Sequence, residues 1–230
     1  MSELSISSGF RKFFRKNKIR FWSCDNLSRH ITSFDLIRLE RELTRKFEGV
    51  LDTLLIDRKT DPNSSDTSSR LAKMYLQEIM SGRYLPQPKI TSFPNEGRSE
   101  YTGMIVIRAE FSSVCAHHHQ PVTGVAYIGI LPKGKVLGLS KYIRLVKWHA
   151  ARGTLQEELC SRICYSIARI SESDDVACHI LARHGCCENR GIKVHSSLTQ
   201  TTVLIGVFEQ LEVKTEFFSQ IKLSQDSSIL

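Results

Sequence analysis

Residues 101–119 read YTGMIVIRAEFSSVCAHHH, and their period decides the reading of the chain. From Tyr101 the apolar pattern repeats every second residue: Thr102, Met104, Val106 and Arg108 alternate with Gly103, Ile105, Ile107 and Ala109. That is a strand, and it delivers Cys115 at its far end. One thiol and three imidazoles then fall within five residues, at Cys115, His117, His118 and His119. The three-residue step from Cys115 to His118 suits a turn that folds both side chains onto one ion. Far downstream, residues 183–187 read RHGCC. His184 and Cys186 are two apart, and alternate residues of a strand share a face, so both can point at the same ion while Cys187 points away. Thiolate and imidazole are ligand types that zinc prefers. Cys115, His118 and Cys186 would fill three positions and leave a fourth for water, whose pKa the ion lowers to about 7. His117 and His184 would then be proton carriers. A closed structural site recruiting His117, His119 or Cys187 satisfies the same spacing, and spacing alone leaves both readings open, with the absence of a metal as a third.

Outward from this stretch, a second strand is expected over Val122 to Leu131, then a turn at residues 132–135 and a short strand to Leu139. Ser140 is placed to cap a helix on which Lys141 and Arg144 share a face. Arg152 and Gly153 break it, and a second helix is expected from Thr154 to about Ile170. Strands follow over Val176 to Cys187 and Leu198 to Phe208, with a last helix from Glu212 to Ile221. Strands, two helices, strands and a helix make an α+β domain on a largely antiparallel sheet.

Upstream the period changes to that of a helix. Leu36, Ile37, Leu39, Leu43, Phe47, Val50, Leu51, Leu54 and Leu55 predict one long or two shorter helices after a cap at Ser33. Residues 61–66 are a loop by composition, Asp66 or Thr67 can cap the next helix, and that helix runs from Ser69 to Met80, with Pro86 and Pro88 preventing its resumption. Residues 1–33 mix serines, cations and aromatics and read as a short basic amphipathic helix or an arm that orders on a partner. The division expected is a basic arm over 1–33, a helical region over 34–95 and the sheet domain over 96–230.

Composition narrows the class. No apolar run approaches the ~20 residues of a membrane helix, and the amino terminus lacks a signal pattern, so a cytoplasmic protein is expected. Seven scattered cysteines do not form a small secreted disulfide framework. A formal charge of +8 implies polyanionic partners, and nucleic-acid binding by the basic arm stays open.

These motifs meet in one family. Residues 67–221 resemble GTP cyclohydrolase I, the zinc enzyme of the tunnelling fold that begins pterin biosynthesis. The resemblance is carried by RLAKMY at 70–75, CAHH at 115–118, GLSKYIR at 138–144, Gln156-Glu157, HGC at 184–186 and RGI at 190–192. It implies an antiparallel sheet with helices on one face after a helical amino-terminal region, zinc on Cys115, His118 and Cys186, and acid and base work by His117 and His184. GTP and two waters would give dihydroneopterin triphosphate and formate, with one water returned as the new ring closes. An activated water would attack C8 of the purine while a histidine protonates the departing ring nitrogen. Folate, reduced biopterin and 7-deazaguanine routes share this first step.

For the substrate, the resemblance places a carboxylate at Glu157, beside Gln156. Guanine offers two adjacent donors that one carboxylate accepts together, and adenine does not. Lys141, Arg144, Arg190 and Arg70 match the family's basic positions for the triphosphate, and Ser140 adds a hydrogen bond. Assembly as two pentameric rings, a decamer with sites at subunit boundaries, is implied as well, with Arg70 serving a neighbour's site. Ala116 departs from the family's usual glutamate, and a lost carboxylate beside a metal alters ligand orientation and affinity. That departure motivates one alternative, a zinc nucleotide hydrolase that stops at a ring-opened intermediate or uses another guanine nucleotide; a second, from a different class, is a non-catalytic GTP- or partner-binding homologue with structural zinc.

Overall fold

Thr32 opens the longest helix of the amino-terminal half by a reciprocal cap: its hydroxyl accepts the Asp35 N–H while the Asp35 carboxylate accepts the Thr32 N–H. The computed structural model describes residues 5–226, and the chain divides after Pro86 into two units. In the first, α1 (Ile6–Lys16) and α2 (Ser33–Thr53) enclose a small core of Phe14, Leu27 and Ile31, with Phe10, Phe21, Leu36 and Leu39 packed against it. Residues 6–16 are thus the basic amphipathic helix of the two forms the sequence allowed. The cap lies one residue ahead of the expected Ser33, because Thr32 rather than Ser33 has Asp35 three positions on. The helix expected over 69–80 is divided into α3 (Thr67–Lys73), a π-helical turn (Met74–Ile79) and α4 (Ser81–Tyr84). Arg83 ties the preceding loop down by donating to the carbonyls of Phe21, Trp22, Ser23 and Asp25.

The second unit begins with β1 (Ser92–Pro94), followed by β2 (Ile105–Cys115), β3 (Pro121–Ile130) and β4 (Lys135–Leu137). Next come α5 (Leu139–Ala150), β5 (Gly153–Thr154), α6 (Gln156–Ser171) and β6 (Val176–His184). The one-turn α7 (Gly185–Glu188), β7 (Thr199–Ile205) and α8 (Leu211–Asp226) complete it. Strands β1 and β4 pair by themselves, and the main sheet has the order β5-β2-β3-β6-β7. Every pairing in it is antiparallel except β2 with β5.

Strand alternation sorts the side chains as expected. Ile107, Ala109, Phe111, Ala126, Ile128, Cys178 and Ile180 point to the face covered by α5 and α6, where Tyr142, Leu145, Ile163 and Ile167 are fully buried. On the other face α8 packs Phe217 and Ile221, together with Phe208, against Met104, Tyr127 and Ala177. Gly129 makes this possible: a Cβ there would sit 2.8 Å from ring carbons of both Phe208 and Phe217.

Register fixes the two ends of the sheet. Ile105 lies opposite Ile130 at one end, and Val114 lies opposite Pro121 at the other. His184 pairs with Val122, so β2 and β6 both finish at the same end. Helix α5 starts just after β4, at the Ile130 end, and runs back towards β5, whose Gly153 and Thr154 lie beside Val114 and Cys115. The expected helix start at Thr154 is therefore displaced to Gln156, since Gly153 and Thr154 serve the sheet. No helix among the described residues is long and apolar enough to cross a membrane.

Candidate metal centre

Cys115 is the last residue of β2, and its backbone is tied twice: its N–H donates to Gln120 O at 2.9 Å, and its carbonyl accepts the His119 N–H at 2.9 Å. The chain closes this turn with His119 at φ 53°, a left-handed conformation. The turn sets His118 back over Cys115. From the end of β6, Cys186 completes a group in which the ligand atoms of Cys115, His118 and Cys186 all lie within 4.8 Å of one another.

Cys186 reaches this point by a different route from the one its spacing suggests. The strand stops at His184, and Gly185–Glu188 is a helical turn, so strand alternation does not carry Cys186 to the ion. Gly185 permits the turn, because a Cβ there would meet Pro121 O and the Asn189 side chain at 3.0 Å. Arg183 holds the loop beyond it, donating to Glu188 at 2.6 Å and to His195 O at 3.0 Å.

The donor set fits a thiophilic divalent ion. Tetrahedral bonds of about 2.0–2.3 Å place ligand atoms some 3.3–3.8 Å apart, so the three groups need only close by a fraction of an ångström to about one ångström. Burial and the neighbouring Cys115 and Cys187 sulfurs push the Cys186 thiol up to about 11. Crowded thiols of this kind are what a cation relieves, since it favours the thiolate form. Cys187, half-buried, stands within hydrogen-bonding reach of Cys186 rather than turned from the site.

Around the metal group stand further polar side chains. His117 is exposed, and its ring lies 6.2 Å from that of His118. His184 is partly buried, and its Nε2 is 2.7 Å from Gln156 Oε1. Gln156 is itself 4% exposed and donates its amide N–H groups to Thr199 O at 3.0 Å and Thr201 Oγ1 at 2.6 Å. A carbonyl only accepts, so the Gln156 nitrogen must face Thr199 and its oxygen must face His184. Nε2 of His184 then carries the hydrogen, and Nδ1 keeps the lone pair. Burial lowers the pKa of His184, while the carboxylates of Glu157 and Glu188 act the other way.

Glu157 lies in the first turn of α6, exposed, next to Gln156 and close enough to influence His184. Arg190 is exposed on the loop after α7. The structure thus brings Cys115, His118, Cys186, His117, His184, Gln156 and Glu157 to one end of the sheet. Ser140 and Lys141 begin α5 at the opposite end, about 15 Å of helix separating Ser140 from the end that leads to β5 beside Cys115, and Arg144 lies midway along, about 9 Å from that end. Arg70 belongs to the first unit, exposed, with its guanidinium 3.5 Å from Asp66. Sequence reasoning did not single out Thr199 and Thr201, which orient Gln156. Their signal was available only as two threonines among those at positions 199–202.

Comparison with known proteins agrees with the motifs. The family model for GTP cyclohydrolase I matches residues 43–222. "GTP cyclohydrolase 1" of Aeromonas salmonicida is 38% identical over 184 residues, which cover 77% of this chain and 83% of that protein. The enzyme of the same name from Flavobacterium johnsoniae is 36% identical over 195 residues, covering 83% and 86%. That from Vibrio cholerae is 36% identical over 172 residues, covering 74% and 78%. A looser likeness, with a TM-score of 0.38 at 16% identity over 45% of this chain and 93% of the other, is to the apo crystal structure of the archaeosine synthase QueF-Like. The chain belongs to the GTP cyclohydrolase I family, hydrolases of the tunnelling fold that act on cyclic amidine C–N bonds.

Proposed function

We propose that this chain hydrolyses the imidazole ring of GTP with zinc held by Cys115, His118 and Cys186, giving 7,8-dihydroneopterin triphosphate and formate for pterin, folate or 7-deazaguanine synthesis. The observation that carries the proposal is the joint placement of the Cys-His-Cys group and an oriented histidine, His184, at one end of the sheet. When bound, zinc supplies Lewis acidity that lowers the pKa of water and polarises the C8 centre. His184 takes and returns a proton at Nδ1, since Gln156 occupies the other nitrogen. His117, beside His118, is the second proton carrier and protonates the departing ring nitrogen. Glu157 accepts the guanine N1–H and exocyclic amine together, which selects guanine over adenine.

The triphosphate is held by Lys141, Arg144 and Arg190, with Ser140 and Arg70 contributing. Because Ser140 and Lys141 open α5 at the far end of its own sheet, we propose that they, with Arg144 one turn further on, serve the metal group of a neighbouring copy. Sites shared in this way require a closed homo-oligomer, proposed to be two stacked pentameric rings.

The test is incubation of zinc-loaded protein with GTP while formate and product mass are followed together. Formate with dihydroneopterin triphosphate supports the proposal. A ring-opened product without formate would assign the incomplete reaction that Ala116 motivates, and bound GTP without turnover would leave a binding protein.

A further inference from the structure

We propose that Arg38, Arg41, Arg45 and Lys46 form a second anion site, built on α2 and independent of the metal centre, whose ligand is an oligophosphate. These residues line a cavity of about 520 Å³ together with Ser5, Ile6 and Glu42. Positions 38, 41 and 45 are three and four apart, so their side chains share one face of α2 and span about 10 Å along it. Like charges at this spacing cost a helix stability, and an ordinary solvated face offsets them with acids one turn away.

Here the acids are committed elsewhere. Asp35 closes the cap with Thr32 and meets Arg38 only as a longer-range charge, Glu40 accepts from Gln77 at 2.6 Å, and Asp52 and Glu48 both pair with Arg58. Glu42 lies in the cavity wall, yet its carboxylate takes Ser5 Oγ at 2.6 Å, Ser7 Oγ at 2.6 Å, Ser7 N at 3.1 Å and Lys46 at 3.3 Å. Burial alone would raise its pKa, and these bonds pull it down to about 2 instead. Among the described residues, Arg38, Arg41 and Arg45 have no hydrogen bond or ion pair. Three exposed arginines therefore border a concave space with their donors unused.

The chemistry selects the ligand class. Planar guanidinium forks match phosphate oxygens bidentately, and a chain of phosphates supplies several anionic groups along the span that a single carboxylate or sulfate cannot. The volume is that of a small-molecule site rather than an extended track. Among the described residues no aromatic side chain lines this cavity, while Phe10, Phe13 and His30 line an adjoining one that shares Ser5, Ile6 and Arg38, so the distinction from a stacking platform for single-stranded nucleic acid is drawn by the oligonucleotide arm of the test.

Calorimetric titration of the full-length, zinc-loaded protein with inorganic tripolyphosphate tests the proposal. Arg41→Ala/Arg45→Ala should weaken one binding event by about 100-fold, roughly tenfold for each charge-assisted hydrogen-bonding partner removed. Lys141→Ala/Arg144→Ala should leave that event intact, which separates it from phosphate binding at the catalytic site. Arg15→Ala/Lys16→Ala removes the same charge outside the cavity and should change affinity less than threefold at about 0.15 M salt, where distant charges are screened. ATP should bind about as well as tripolyphosphate, and ATP binding alone would overturn the assignment to the phosphate chain. An equal loss in the Arg15/Lys16 control, or no loss in the Arg41/Arg45 variant with unchanged helicity, would overturn the site. So would capture of a single-stranded oligonucleotide by the same arginines without tripolyphosphate binding.

Discussion

Replacing Gln156 by leucine separates two roles that its position allows. The sequence places Gln156 beside Glu157 as a guanine contact, whereas in the structure its amide is consumed by His184, Thr199 and Thr201. Leucine keeps most of the volume and removes the acceptor 2.7 Å from His184 Nε2. Leaving a buried donor without its partner costs about 1–3 kcal/mol, which is roughly a five- to 150-fold shift away from the oriented tautomer. Since that tautomer matters only to the proton transfer, kcat should fall by about 10- to 100-fold while KM for GTP stays within about threefold. Steady-state kinetics at saturating zinc, with bound metal measured on the same sample, gives the result. Unchanged kcat with KM raised tenfold or more would refute the reasoning and return Gln156 to the guanine site. Loss of zinc would refute it differently, by showing that Gln156 supports the metal group.

Other outcomes are expected at the metal, at the guanine site and in the core. Cys115→Ala or Cys186→Ala should abolish stoichiometric zinc binding in metal analysis, whereas His184→Ala should retain the metal and lose turnover; metal loss from His184→Ala would make that residue a ligand. Glu157→Ala should raise KM for GTP by at least about tenfold, as expected when a bidentate charge-assisted pair is removed, and unchanged KM would exclude it from substrate recognition. His149 is buried with neither ring nitrogen bonded, and burial, reinforced by Arg152, Arg162 and Arg169, lowers its pKa to about 3. An unfolded histidine binds a proton near pH 6.5, so this group's contribution is held above that pH and lost as pH falls towards 3, about 2 kcal/mol of it by pH 5. His149→Phe should therefore gain urea resistance over the parent as pH drops from 7.5 to 5, and parallel pH curves for the two proteins would contradict this.

Much of the site was legible because its chemistry is local. Period-two alternation carries β2 to Cys115, a tight turn returns His118 onto it, and the Gln156-Glu157 and His184-Gly185-Cys186 pieces each keep their members within a few residues. Backbone geometry alone limits what such neighbours can do. The alternation also separated the two faces of the sheet correctly, since one residue of slip would exchange every inward and outward side chain.

Spacing failed where local backbone had two acceptable forms. A strand and a helical turn both accommodate residues 185–188, and the close packing of Gly185 against Pro121 selects the turn. Gly153 and Thr154 are compatible with a helix start, but pairing with Val114 and Cys115 claims them for the sheet. The sequence by itself determined which residue types could meet a metal and a purine, because ligand identity and short spacing are written in the chain. Only the tertiary structure decided that Gln156 orients His184 from 28 positions away, and that Ser140 and Lys141 lie at the far end of their own sheet. Those facts arise from strand register and helix packing, which sum many weak interactions across the domain and leave no mark at any single position.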